Sequence, residues 1–184
     1  MSLPNEILSE VEHKMDYNIF NIMINRRSQR AFLDKEVEWW KIEMIIAAAD
    51  TAPTAGGFQG FEIYKINQKS MKQELVKAAN NQPWVDAPLV LVFCMNPSRV
   101  KMNFPDNILK KFSLQDSTLA AAYAQLAAHA LGLSSIWIGM FDEKKVMDII
   151  NTELIPSSIL CIGYPKKLLH PKPKRNIKEL LHEI

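Results

Sequence analysis

A sheet covered by helices, of the α/β or α+β class, is the fold that three features of this sequence predict. Segments with apolar residues on a 3.6-residue period alternate with short runs rich in apolar and β-branched residues. One of those runs, residues 88–95 (PLVLVFCM), is apolar without alternation, which marks a central strand buried on both faces. The connections between the runs are long enough for crossovers. With 184 residues, 48% hydrophobic and 23% charged, the chain has the composition of a globular domain and the length to bury a core without disulfides. The expected organisation is a single domain over 1–184, with 1–16 as an N-terminal flank and 165–184 as a basic C-terminal arm.

Taken in order, residues 5–24 read as one helix, bent or broken near its middle, with Ile7, Leu8, Val11, Met15, Ile19, Ile22 and Met23 on its apolar stripe. It delivers the segment Asn25-Arg26-Arg27-Ser28-Gln29-Arg30-Ala31-Phe32, where three arginines fall within five residues. Asp34 is the expected N-cap of a second helix, whose stripe is Val37, Trp40, Met44, Ile45 and Ala48 and which stops near Thr51, before Pro53. The loop Ala52-Pro53-Thr54-Ala55-Gly56-Gly57-Phe58-Gln59-Gly60 carries three glycines, so backbone at positive φ and close approach by another body are both open to it. A strand over 61–66, a surface helix over 70–79 and the central strand follow. Residues 96–112 are an irregular excursion of the kind that forms substrate lids.

Ser113, with Asp116 three residues on, reads as an acidic variant of the capping box opening a long helix that Gly132 closes. Alanines on several faces of that helix mark it as packed on more than one side, in a core or at a dimer contact. Residues 134–138 read as a strand broken by Gly139, Asp142 as the cap of a helix to about 151, and 158–163 as another buried strand. The tail holds Pro165, Pro171 and Pro173 and six basic residues within thirteen positions, from Lys166 to Lys178. It reads either as a solvated arm or as a segment returning to the arginine stretch.

Several chemistries are excluded on these grounds. A net charge of +2 argues against general nucleic-acid binding, which needs a one-sided basic surface. The four histidines and two cysteines show no metal-ligand spacing, and Cys94 and Cys161 sit in strand runs as buried thiols of a reducing compartment. The acidic N-terminus is no signal peptide and no window has the length of a membrane span, which leads to the expectation of a cytoplasmic protein without membrane contact. Neither a GxGxxG nor a GxxxxGK[ST] occurs, and there is no nucleophile elbow. If the chain is an enzyme, the hard chemistry belongs to a bound cofactor. The arginine segment suits a phosphorylated one, because planar N–H forks flank a hydroxyl. The same stretch also reads as a basic turn that complements a helix C-terminus. Trp39 and Trp40 are expected as one core and one interface residue, Tyr123 as packed in the core, and His129 as structural.

Four segments together resemble the nitroreductase family of FMN-dependent oxidoreductases. Arg26-Arg27-Ser28-Gln29-Arg30-Ala31-Phe32 is similar to the family's RRSxRxF, and Ala52 to Gln59 to its APSAGNxQPW loop. Residues 130–139 (ALGLSSIWIG) resemble its ALGLGSxWIG run, and Ile162-Gly163-Tyr164-Pro165 its IGYP. The resemblance implies an α+β fold with a mostly antiparallel sheet covered by helices, in an intertwined homodimer with FMN in the interface. It implies that Arg26, Arg27 and Ser28 hold the phosphate and ribityl chain, with Arg30 near the pyrimidine end of the ring. Pro53, Thr54, Ala55 and Gly57 would wall the ring from the partner subunit, and Ile138 and Gly139 would lie near N5. Lys174 with Arg175 would close the phosphate site, Lys172 being the alternative to Lys174. The implied activity is ping-pong reduction of a nitroaromatic, quinone or similar electrophile by NADH or NADPH, with no catalytic side chain. A flavin-binding carrier or sensor shares the same residues and stands as the alternative. Gly57 replaces the family's frequent Asn, and Gly60-Phe61 its Pro-Trp.

Overall fold

The computed structural model describes residues 17–170, 174 and 176–184. Four strands, β1 (Phe61–Ile66), β2 (Leu89–Met95), β3 (Ser134–Ile138) and β4 (Pro156–Gly163), form a sheet in the order β1-β2-β4-β3. Every pairing between these strands is antiparallel. The sheet is therefore antiparallel throughout, yet its two central strands are buried on both faces as parallel strands usually are. The reason is the pair of helical layers. Leu89, Leu91 and Phe93 of β2 point to one side and meet α2 (Trp39–Asp50) and α4 (Asp106–Ala130), where Ile42, Ile45, Ala49, Ala120, Ala121 and Ala124 complete a cluster. Val90, Val92 and Cys94 point to the other side, toward α3 (Lys69–Ala78) and α5 (Glu143–Ile150), against Leu75, Val146 and Ile150. A strand with helices on both faces has no position for a polar side chain, hence the unbroken apolar run.

Local signals end the elements where expected in most places. The Asp142 carboxylate accepts the Lys145 N–H at 3.1 Å and caps α5, which closes on Asn151 in the left-handed region (φ 51°). Lys72 is buried on α3, its Nζ donating to the carbonyls of Ala87 and Pro88 at 2.7 and 2.9 Å, so the approach to β2 is pinned. Burial lowers the Lys72 pKa.

Three expectations are corrected. The second helix begins at Trp39, not after Asp34, because the preceding chain is extended and paired: the Leu33 N–H donates to the Tyr164 carbonyl at 2.8 Å and Phe32 bridges Pro165. The helix expected to open at Ser113 begins at Asp106, within the supposed excursion, and Ser113 and Asp116 are buried in its middle. Trp39 and Trp40 both lie on the surface, 61% and 52% exposed, and Tyr123 is exposed as well. Of the first helix, α1 (Tyr17–Asn25) is described; Ile7, Leu8, Val11 and Met15 and the flank 1–16 lie outside the described residues. No helix among the described residues is long and apolar enough to cross a membrane.

Candidate cofactor site

The arginine segment follows α1 directly and is laid against the edge of the sheet. Ser28 forms a parallel bridge with Ser135 of β3, and the Gln29 N–H donates to the Ser135 carbonyl at 2.9 Å. The Gln29 side chain is buried; its Nε2 donates to the Lys167 carbonyl at 2.6 Å while its Oε1 accepts from the Arg30 N–H at 3.1 Å. With Lys166 N–H on the Ala31 carbonyl at 3.1 Å, the start of the basic tail does return to the arginine segment. Of the tail's candidate residues, Lys174 is exposed, and Lys172 and Arg175 lie outside the described residues.

Held this way, Arg26 and Arg27 are half-buried with donors turned inward. Arg26 Nη1 and Arg27 Nε are inaccessible to solvent and have no hydrogen-bond partner among the described residues, and the same is true of Ser135 Oγ. Burial, followed by the charge of Arg27, lowers the Arg26 pKa. His129, near the end of α4, is lowered by burial, with a backbone contact to Leu133 opposing and the Arg26 charge assisting. Two adjacent cations with unpaired buried donors are costly unless an anion meets them. A phosphate supplies acceptors and charge together, so the residues present fit the phosphate end of FMN. Arg30 is exposed and stands with Cζ 5.3 Å from the centroid of Trp84, beside a cavity of about 550 Å³ that Lys69, Lys72 and Lys166 also line. Trp84 carried no sequence signal, since a tryptophan in a loop is not periodic with anything.

The glycine loop lies elsewhere. Ala55–Gly57 form a short 3-10 turn with Gly56 and Gly57 at φ 60° and 71°. Pro53, Thr54 and Ala55 line a cavity of about 570 Å³ with Phe112 and Leu119 of α4. Asp116, which holds the loop, and His129, beside Arg26, are thirteen residues apart on one helix. At the α-helical rise that is roughly 20 Å. One chain thus sets Arg26, beside His129 at the C-terminal end of α4, well apart from the loop of Pro53, Thr54, Ala55 and Gly57, which is held at the middle of that helix. Ile138, buried at 2%, and Gly139, exposed just past the end of β3, follow Ser135 on the edge strand.

Tyr164 ties these parts to α2. Its hydroxyl donates to the Glu38 carboxylate at 2.6 Å and accepts from Lys41 Nζ at 2.9 Å, and Lys41 also donates to the Leu131 carbonyl at 3.0 Å. The Tyr164 bond, with help from the Glu38 backbone and the two lysines, holds the Glu38 carboxyl at about 2.

Comparison with known proteins bears on the family and the fold. The nitroreductase family model matches residues 23–164. An FMN reductase [NAD(P)H] of Bacillus subtilis (strain 168) is 26% identical over 183 residues, covering 90% of this chain and 73% of that protein. A putative NADH dehydrogenase/NAD(P)H nitroreductase of Methanothermobacter thermautotrophicus is 30% identical over 159 residues, 83% of this chain and 78% of that one. Among solved structures, a nitroreductase from B. subtilis superposes with a TM-score of 0.82 at 27% identity, covering 90% and 74% of the two chains. An arginine segment bridged to the sheet edge, a glycine loop held by the long helix and a family match spanning both have one common account: the chain belongs to the nitroreductase family.

Proposed function

We propose that two copies of this chain enclose FMN between the arginine segment of one and the glycine loop of the other, and use NADH or NADPH to reduce electrophilic small molecules such as nitroaromatics or quinones. The enzyme class is FMN-dependent NAD(P)H oxidoreductase, in keeping with the relatives. The observation that carries the reading is the pair of buried guanidinium donors on Arg26 and Arg27 that find no partner among the described residues. Apolar side chains left exposed on three helices support the second copy: Phe20 and Met23 on α1, Trp40 and Met44 on α2, Leu119 and Tyr123 on α4.

Bound FMN supplies two-electron transfer, taken from the nicotinamide in one half-reaction and passed to the acceptor in another. The residues of the chain bind and orient. Arg26, Arg27 and Ser28 hold the phosphate, and Lys174 and Arg175 add charge from the tail. Arg30, steadied on Trp84, places a cation where negative charge gathers on the pyrimidine edge, which favours the reduced form. Pro53, Thr54, Ala55 and Gly57 of the second copy exclude water from the ring, and the main chain at Ile138 and Gly139 borders its reactive edge. Solvent suffices as proton source.

The test is a visible spectrum of protein purified without added cofactor, followed by anaerobic NADPH and NADH. A flavin spectrum that bleaches with either is expected. Protein that takes up no FMN and oxidises neither nucleotide overturns the reading, and yellow protein that neither nucleotide bleaches overturns the reductase activity.

A further inference from the structure

The glycine loop is pinned at both ends by one side chain. Asp116 is buried at 2%, and among the described residues no lysine or arginine lies within ion-pair distance of it. Its Oδ1 accepts the Ala55 N–H at 2.9 Å and its Oδ2 the Gly60 N–H at 3.1 Å. One turn earlier on α4, the Ser113 hydroxyl donates to the Gly60 carbonyl, which also accepts the Asn96 N–H at 2.9 Å. Between the pinned ends the Thr54 hydroxyl accepts the Gln59 N–H at 3.2 Å, and Gly56, Gly57 and Gln59 all adopt positive φ. Turn bonds from the Gly57 N–H to the Thr54 carbonyl and from the Phe58 N–H to the Ala55 carbonyl, 3.2 Å each, shape the loop internally, while the Asp116 carboxylate at both ends and the Ser113 hydroxyl at Gly60 fix it to the helix.

Gly60 is what lets the helix come so near. A Cβ there would stand 2.6 Å from Val100 Cγ2 and 2.8 Å from Asp116 Oδ2. The motif this loop resembles has proline at that position, and proline has no N–H to give. The bond from Gly60 to Asp116 therefore belongs to this chain's version of the loop.

We propose that Asp116, assisted by Ser113, is a positioning residue that presents the loop 53–60 to the flavin already in its bound shape. This rests on the functional reading above. The physical case is preorganisation: a wall that must be ordered on binding lowers affinity, and one held by its own helix does not. Both carboxylate oxygens are needed as acceptors. Asparagine keeps one and turns an NH₂ toward the other loop N–H, whereas glutamate keeps both.

FMN is titrated onto cofactor-free wild type and the variants Asp116→Asn, Asp116→Glu, Ser113→Ala and Asp142→Ala. Dissociation constant, bound-flavin absorption bands and the melting temperature of the cofactor-free protein are read for each. Asp116→Asn is expected to weaken FMN about tenfold or more and to shift the flavin bands toward those of free FMN, as loss of a charge-assisted bond implies. Ser113→Ala weakens it less, and Asp116→Glu recovers part of the loss. Asp142→Ala, which removes a cap remote from the loop, lowers the melting temperature and leaves the flavin constant and spectrum unchanged. Wild-type affinity and spectrum in Asp116→Asn overturn the proposal; if that variant does not fold, wild-type behaviour in Ser113→Ala does so. Wild-type protein that takes up no FMN removes the functional reading and this inference together, whereas uptake indifferent to the variants removes this inference alone.

Discussion

Replacing Arg26 by methionine should make the cofactor-free protein more stable and the flavin complex weaker. Arg26 Nη1 is buried without a partner among the described residues, and a second guanidinium adjoins it. An unsatisfied buried donor costs about 1–3 kcal/mol, more when it carries charge. Methionine keeps an unbranched apolar stem in the same space and removes that cost. One term opposes. The Arg26 N–H closes onto the Ile22 carbonyl at 3.0 Å at the C-terminus of α1, where a cation contributes about 0.3–1 kcal/mol through the helix dipole. The net expectation is a gain of about 1 kcal/mol, which for a chain of this size raises the melting temperature by about 2–4 °C. With FMN the sign reverses. Loss of a charge-assisted bond to phosphate costs about 1.5–3 kcal/mol, an affinity lower by about 10- to 150-fold. The assay is a pair of thermal melts at fixed protein concentration, without FMN and with FMN at a hundred times the wild-type constant, where ligand binding alone adds about 2.7 kcal/mol to the wild type. A cofactor-free variant that melts below wild type, or a variant whose FMN-induced shift equals that of wild type, refutes the reasoning.

Tyr164→Phe removes the main cause that holds Glu38 at about 2 against its ordinary 4.5. Because the folded value is the lower one, the stabilisation is present above pH 4.5 and lost as pH falls toward 2, so the gap in urea midpoint between wild type and variant should close over that window; a gap constant from pH 7 to pH 2.5 contradicts the assignment. Burial pushes the Cys94 thiol up to about 12 and raises that of Cys161 as well, so a thiol reagent at pH 8 should modify neither cysteine in the native protein and both after denaturation. Rapid native labelling of either would show that the sheet opens readily. Phe20→Asp places a charge on the exposed apolar face of α1, where Phe20 is 56% exposed. Sedimentation should show a shift from dimer toward monomer with a parallel loss of bound flavin and an unchanged far-ultraviolet spectrum, and a flavin-loaded dimer would place the subunit contact elsewhere.

Several elements could be read from the chain because their causes are local. The uniform run 88–95 became β2 since burial on two faces leaves no polar position, and the cap at Asp142 works through a carboxylate three residues from the N–H it accepts. Asp116 shows the limit. Ser-x-x-Asp has the spacing of a cap, yet Ser113, Asp116 and Ser117 continue the buried face of Ala120, Ala121, Ala124 and Ala128. The 3.6-residue period was the better guide there. A polar residue on an alanine face must be satisfied by something distant, here the amides of Ala55 and Gly60.

The sequence by itself determined the alternation of helices and strands, the central buried strand, the family and the positions of the candidate anion-binding and glycine-loop segments, since each of these is written in neighbouring residues. Only the tertiary structure decided that the sheet is antiparallel in the order β1-β2-β4-β3, that the tail from Tyr164 to Lys167 pairs with the arginine segment, that Arg30 rests on Trp84, and that the arginine segment meets the C-terminal end of α4 while the glycine loop is held at its middle. Those are relations between residues far apart in the chain, fixed by which backbone groups and guanidinium faces find partners once the core has closed, and no local pattern encodes them.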